Sequence, residues 1–155
     1  MEKHKLNPTE IFNMDETTHT TVHKPPKVIA EKRARHVTSA ERGVLTTMIG
    51  AVNAGGGSIS PMMIFPRVKY REFMLNGAPV GSVGAACQSG WISRELFVQW
   101  LKHFIHHTRE SKERPVLLLM DNHDSHISIE AIDIAKGNGV VKPHCSLSIF
   151  QCMYH

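Results

Sequence analysis

A chain of 155 residues is long enough for one domain with a buried core and short for two. Its 41% hydrophobic and 21% charged residues are the make-up of an ordinary globular protein and set aside a low-complexity chain. The formal net charge of +4, with 11 histidines able to add to it at lower pH, permits a polyanionic partner without requiring one; an ordinary solvated surface fits it equally well.

The N-terminus "MEKHKLNPTE" is polar throughout and does not read as a secretory signal. The longest apolar runs are about five residues, against the roughly 20 a membrane span needs, so no membrane association is expected. Three cysteines, Cys87, Cys145 and Cys152, form no pair with zinc-knuckle spacing, and their odd number fits a reducing compartment, cytosol or nucleus.

In chain order, Ile11–Asp15 reads as a short strand. A basic, proline-containing segment follows, "HKPPKVIAEKRARHV". Val44–Val52 and Met62–Phe65 read as two strands around the glycine-rich turn Asn53–Gly57, with Pro61 marking the start of the second or an edge. Residues 66–90 show little periodicity and read as a long loop. Ser93 is an N-cap candidate for a helix whose apolar face is Leu96, Phe97, Trp100, Leu101, Phe104 and Ile105, at spacings of three and four. Pro115 introduces an unbroken apolar run, Val116–Met120, of the kind found in a central strand. A second helix is predicted over Ser128–Lys136, stopped by Gly137 and Gly139. The layout is α/β: one sheet with helices packed on it.

Two stretches end an apolar run on an acid: "EIFNMDE" at 10–16 and "PVLLLMDNHDSH" at 115–126. Ligands gather at strand ends in α/β sheets. If the two strands are neighbours, Asp15 and Asp121 project from one sheet edge, and two carboxylates so close favour a shared cation, with oxygen donors suiting Mg²⁺ or Mn²⁺. The pattern alone equally allows both to be turn or cap residues. His123 and His126 have H-x-x-H spacing but lack the glutamate and third ligand of a zinc site. Lys24, Lys27, Lys32, Arg33 and Arg35 put five cations within twelve residues, either a phosphate-contacting patch or an exposed charged loop. The turn "NAGGGS" has neither the Lys-Ser/Thr ending nor the following helix of a phosphate-binding loop.

Several long segments, in order, carry a resemblance: "IFNMDET", "TTVHKPPKVIAEK", "PMMIFPR", "NGAPVGSVGAACQSGWISRELFVQWLKHFIHHT" and "PVLLLMDNHDSHISIEAIDIAKGNGV". Together they resemble the DDE transposase domain of the pogo and jerky type, within the mariner-like transposases, over residues 10 to about 141. The resemblance implies a ribonuclease H-like mixed sheet flanked by helices, metal-dependent DNA strand cleavage or transfer, and a nuclear location. It matches Asp15 to the family's first catalytic acid and Asp121 to its second, both as ligands of Mg²⁺ or Mn²⁺. The family's third acid lies on a later helix, and no residue here matches it. "KPHCS" resembles the start of that region, but "LSIFQCMYH" does not and contains no acid.

The expected organisation is therefore an N-terminal extension at 1–9, an endonuclease-like domain at 10–141 and a divergent tail at 142–155, the fold being cut short at its C-terminal end. Family members usually carry an N-terminal helix-turn-helix region, and none is expected in this chain. The expected function is a transposase-derived, DNA-binding endonuclease domain with weakened metal binding and impaired cleavage. The alternative is a non-catalytic, domesticated nucleic-acid-binding or interaction protein. Nothing in the sequence sets the oligomeric state.

Overall fold

The computed structural model describes residues 6–20, 45–108, 114–121, 126 and 128–141. Among these, one mixed sheet carries six strands: β1 Ile11–Thr20, β2 Leu45–Asn53, β3 Met62–Phe65, β4 Val83–Ala86, β5 Val116–Leu119 and β6 Val140–Val141. Their spatial order is β4-β3-β2-β1-β5-β6. β1–β2 and β2–β3 are antiparallel; β3–β4, β1–β5 and β5–β6 are parallel. Two helices accompany the sheet, α1 Arg94–Thr108 and α2 Ile129–Gly137.

Side-chain alternation decides which face of the sheet becomes the core. Phe12 and Met14 of β1, Thr47, Ile49 and Ala51 of β2, and Met62 and Ile64 of β3 are all buried. Their intervening neighbours are half-buried or exposed. Val116 and Leu118 of β5 and Ala85 of β4 join the same cluster. Helix α1 covers it with Leu96, Phe97, Trp100, Leu101 and Phe104, and Phe104 meets Phe12 edge-on at 5.1 Å between ring centres.

Both helices start where the sequence predicts. Ser93 Oγ accepts from the Leu96 N–H at 3.3 Å, and Ser128 Oγ from the Ala131 N–H at 3.1 Å, so each hydroxyl satisfies a first-turn donor. α2 ends through Asn138 and Gly139, the latter at φ 77°.

The fold departs from expectation in two places. β1 runs five residues beyond Asp15, through the polar stretch Glu16–Thr20, because β2 supplies a continuous antiparallel ladder out to Thr20↔Leu45. The loop expected at 66–90 contains β4 and a short 3-10 helix, Glu72–Leu75. β4 has no apolar alternation to announce it; Gly84 lies under the Tyr70 ring, where a Cβ would collide with the aromatic carbons. The two-residue β6, directly ahead of "KPHCS", pairs with Val116 and Leu117 of β5.

Candidate metal and phosphodiester site

β1 and β5 pair in parallel with Ile11↔Leu117, Phe12↔Leu118 and Asn13↔Leu119. The offset is 106 residues (117 − 11), and the same offset separates Asp15 from Asp121 (121 − 15). Continued past the end of β5, that register sets the two acids opposite each other. Asp15 and Asp121 line one pocket of about 280 Å³, together with Met14, Glu16, Trp91, Ile92 and His126.

Alternation along β1 sends Asp15 to the exposed side, after Asn13, and Glu16 to the side of Phe12 and Met14. β5 stops at Leu119, which leaves the sheet open there and lets both carboxylates border the same space. Asp15 Oδ1 accepts from the Glu16 backbone N–H at 2.8 Å. The far wall is fixed by Gly90, at φ 74°, whose carbonyl accepts from the buried Thr47 hydroxyl at 2.7 Å. This bond ties the segment carrying Trp91 and Ile92 to β2. Trp91 is 54% exposed and Ile92 buried.

His126 closes the pocket from within. Its ring is 4% exposed, with Nε2 2.9 Å from Glu16 Oε1 and Nδ1 2.9 Å from Asp121 Oδ1. The Asp121 backbone carbonyl is a further 3.3 Å contact of Nδ1. Carboxylate oxygens only accept, so donation to both requires a proton on each ring nitrogen. Burial works against that charge, but the hydrogen bonds to Glu16 and the Asp121 carbonyl and the charges of both acids outweigh it. The net effect holds the imidazole above the usual histidine range. The Phe97 ring packs against it at 4.8 Å.

The structure thus brings together the two acids singled out in the sequence and adds Glu16, His126 and Trp91, which sequence reasoning did not assign to the site. Glu16 directly follows Asp15, and His126 was visible only as half of an H-x-x-H pair. In the structure it serves carboxylates. His123, Lys24, Lys27, Lys32, Arg33 and Arg35 lie outside the described residues, as does the tail 142–155. Among the described residues no three His, Cys, Asp or Glu side chains are grouped to hold a metal, and no helix is long and apolar enough to cross a membrane.

A mixed sheet with β1 and β5 as parallel neighbours, one acid midway along β1, the other just past β5, and helices packed against it is a ribonuclease H-like arrangement. The family model described as DDE superfamily endonuclease matches residues 42–153, a span that includes Asp121 and begins after Asp15; the chain belongs to this family. Among solved structures it is similar to the Mos1 strand transfer complex, at TM-score 0.53 and 20% identity over 91% of this chain and 36% of that one. It is also similar to a pre-cleavage Mos1 transpososome, at TM-score 0.52 and 16% identity over 89% and 37%. A Mos1 paired-end complex with the left transposon end gives 0.51 and 16% over 90% and 36%. The chain therefore spans little more than a third of these solved proteins. A curated relative from Cochliobolus lunatus, named MFS-type transporter clz9, is 31% identical over 125 residues, which is 76% of this chain and 14% of that protein.

Proposed function

We propose that this chain is a transposase-derived endonuclease domain that binds DNA and holds one divalent cation, Mg²⁺ or Mn²⁺, weakly between Asp15 and Asp121. The observation that carries the reading is that these two acids, on strands paired in register, line one pocket. The donor set fits the ion: both are carboxylates, and Mg²⁺ is commonly held by one or two carboxylates with water completing the shell. When bound there, such an ion activates an attacking oxygen and neutralises charge on a transferring phosphate. The chain's own part is to bring two carboxylates to one pocket, with His126 seated between Glu16 and Asp121. A DNA partner is supported by the Mos1 complexes, one of which contains a transposon end, and by the basic segment from Lys24 to Arg35. A nuclear location follows from the same reading and is checked by imaging a fluorescent fusion.

The test is a Mn²⁺ titration followed by electron paramagnetic resonance. Weak, saturable binding is expected in the natural sequence, lost in Asp15→Asn and in Asp121→Asn. Binding that survives both substitutions places the ion elsewhere and ends the proposal.

A second reading, a DNA-binding protein without cleavage activity, is favoured by one observation: His126 engages one oxygen of Glu16 and one of Asp121 at 2.9 Å each, a set of contacts that is complete without an ion.

A further inference from the structure

Asp121 is poorly held by its own strand. It lies two residues past the last residue of β5, and its side chain is 76% exposed. An exposed carboxylate without a brace samples several rotamers, and fixing one costs conformational entropy when a ligand binds. His126 is the opposite kind of group: a rigid ring, 4% exposed, packed at 4.8 Å against Phe97, which is itself fully buried in α1.

We propose that His126 is a positioning residue for the Asp15/Asp121 site: wedged between Glu16 and Asp121 at 2.9 Å from each, its ring transfers the rigidity of the core to an exposed carboxylate. The inference rests on the metal reading of Asp15 and Asp121 given above. The chain of support runs from Phe97 in α1 through the imidazole to Asp121, with Glu16 on β1 holding the other ring nitrogen. Glu16 also decides the ring's orientation, because an imidazole gripped at Nε2 by a fixed strand presents Nδ1 in only one direction. Without the ring, the space it fills between Glu16 and Asp121, at 2.9 Å from each, would be left open and neither carboxylate would be braced from that side. His126 thus holds the pocket's shape before any ion arrives, so binding need not reorganise it.

Outer groups that orient metal-binding carboxylates typically contribute 10- to 100-fold in affinity. His126→Ala is expected to weaken Mn²⁺ binding by about that factor, read on the folded fraction. His126→Gln, which keeps a donor of similar reach, should recover a large part of the loss. Phe104→Leu, which loosens the core away from the pocket, should lower the melting temperature while leaving Mn²⁺ affinity within about twofold, and so separates positioning from general destabilisation. A measurement on metal-free protein stands apart from the ion: the side-chain carboxyl ¹³C resonance of Asp121 should move in His126→Ala and return towards its original position in His126→Gln. An unmoved resonance in His126→Ala, or unchanged Mn²⁺ affinity in that variant, overturns the positioning role while leaving the metal reading intact. Absence of Mn²⁺ binding in the natural sequence overturns the metal reading, and the role with it.

Discussion

The Nε2 atom of His126 lies 2.9 Å from Oε1 of Glu16, a contact between residues 110 apart in the chain. It joins β1 to the segment between β5 and α2 and is almost wholly removed from water on the histidine side. Hydrogen bonds to charged groups contribute about 1.5–3 kcal/mol, and removing one partner leaves the other buried and unsatisfied. Glu16→Ala should therefore destabilise the fold by about 1.5–3 kcal/mol in urea unfolding. The double variant Glu16→Ala/His126→Ala should lose less than the sum of the singles.

Stability should depend on pH through His103. Its Nε2 donates to the Ser60 carbonyl at 2.8 Å, and His107 and His106 sit beside it on the same helix. Burial, and then the neighbouring histidine charges, push its pKa below the usual value in spite of the Ser60 bond. The folded state thus takes up a proton less readily than the unfolded chain, so stability is full above the ordinary histidine pKa of about 6.5 and falls as pH drops through the folded value. Because His126, held above the usual range, acts in the opposite direction, the decline is read as a difference: from pH 7.5 downwards the natural sequence should lose melting temperature relative to His103→Gln.

Gly90 has a backbone that only glycine adopts without strain. Its φ is 74°, and a Cβ would meet Pro66 Cβ at 3.2 Å and the Leu45 carbonyl at 3.3 Å. Gly90→Ala should cost about 1–3 kcal/mol, measured in urea.

DNA binding through Lys24, Lys27, Lys32, Arg33 and Arg35 should be weak, tolerant of sequence and steep in salt, because phosphate contacts carry no base readout. Replacing Arg33 and Arg35 by Ala should reduce the slope of log affinity against log salt by up to about two contacts' worth. Affinity that does not change with salt would remove the segment from consideration.

Cleavage tests whether Asp15 and Asp121 suffice by themselves. Phosphoryl transfer depends mostly on positioning, and two carboxylates position one ion. No nicking of supercoiled plasmid is expected from the 155-residue chain with Mg²⁺ or Mn²⁺. A chimera carrying the tail of an intact relative in place of residues 142–155 should nick, and adding Asp121→Asn should abolish it. Robust nicking by the natural sequence, lost in Asp121→Asn, would show that two acids suffice.

What the sequence revealed follows periodicity. α1 repeats its apolar residues at three and four, and β2 and β3 flank a glycine turn, so all three were visible. β4, with sequence Val-Gly-Ala-Ala, becomes a strand only by lying along β3, and Glu16–Thr20 only by lying along β2. These are pairing effects that no local window contains. The same holds in the pocket. Asp15 and Asp121 each close an apolar run and could be suspected one at a time. The part played by His126 depends on Glu16, a partner brought to it by β1.

The pairing of β1 with β5 also governs when the pocket can exist. During synthesis β1, β2 and β3 can zip together as a meander as soon as they emerge, but the other long edge of β1 waits for a partner about a hundred residues downstream. Until that partner arrives, Ile11, Phe12 and Asn13 present unpaired backbone to any passing strand, an invitation to association between nascent chains. Closure of this long-range parallel pair is a slow, high-contact-order event. The two acids are therefore brought together late, and a nascent chain that has not yet extruded residue 126 has an incomplete pocket.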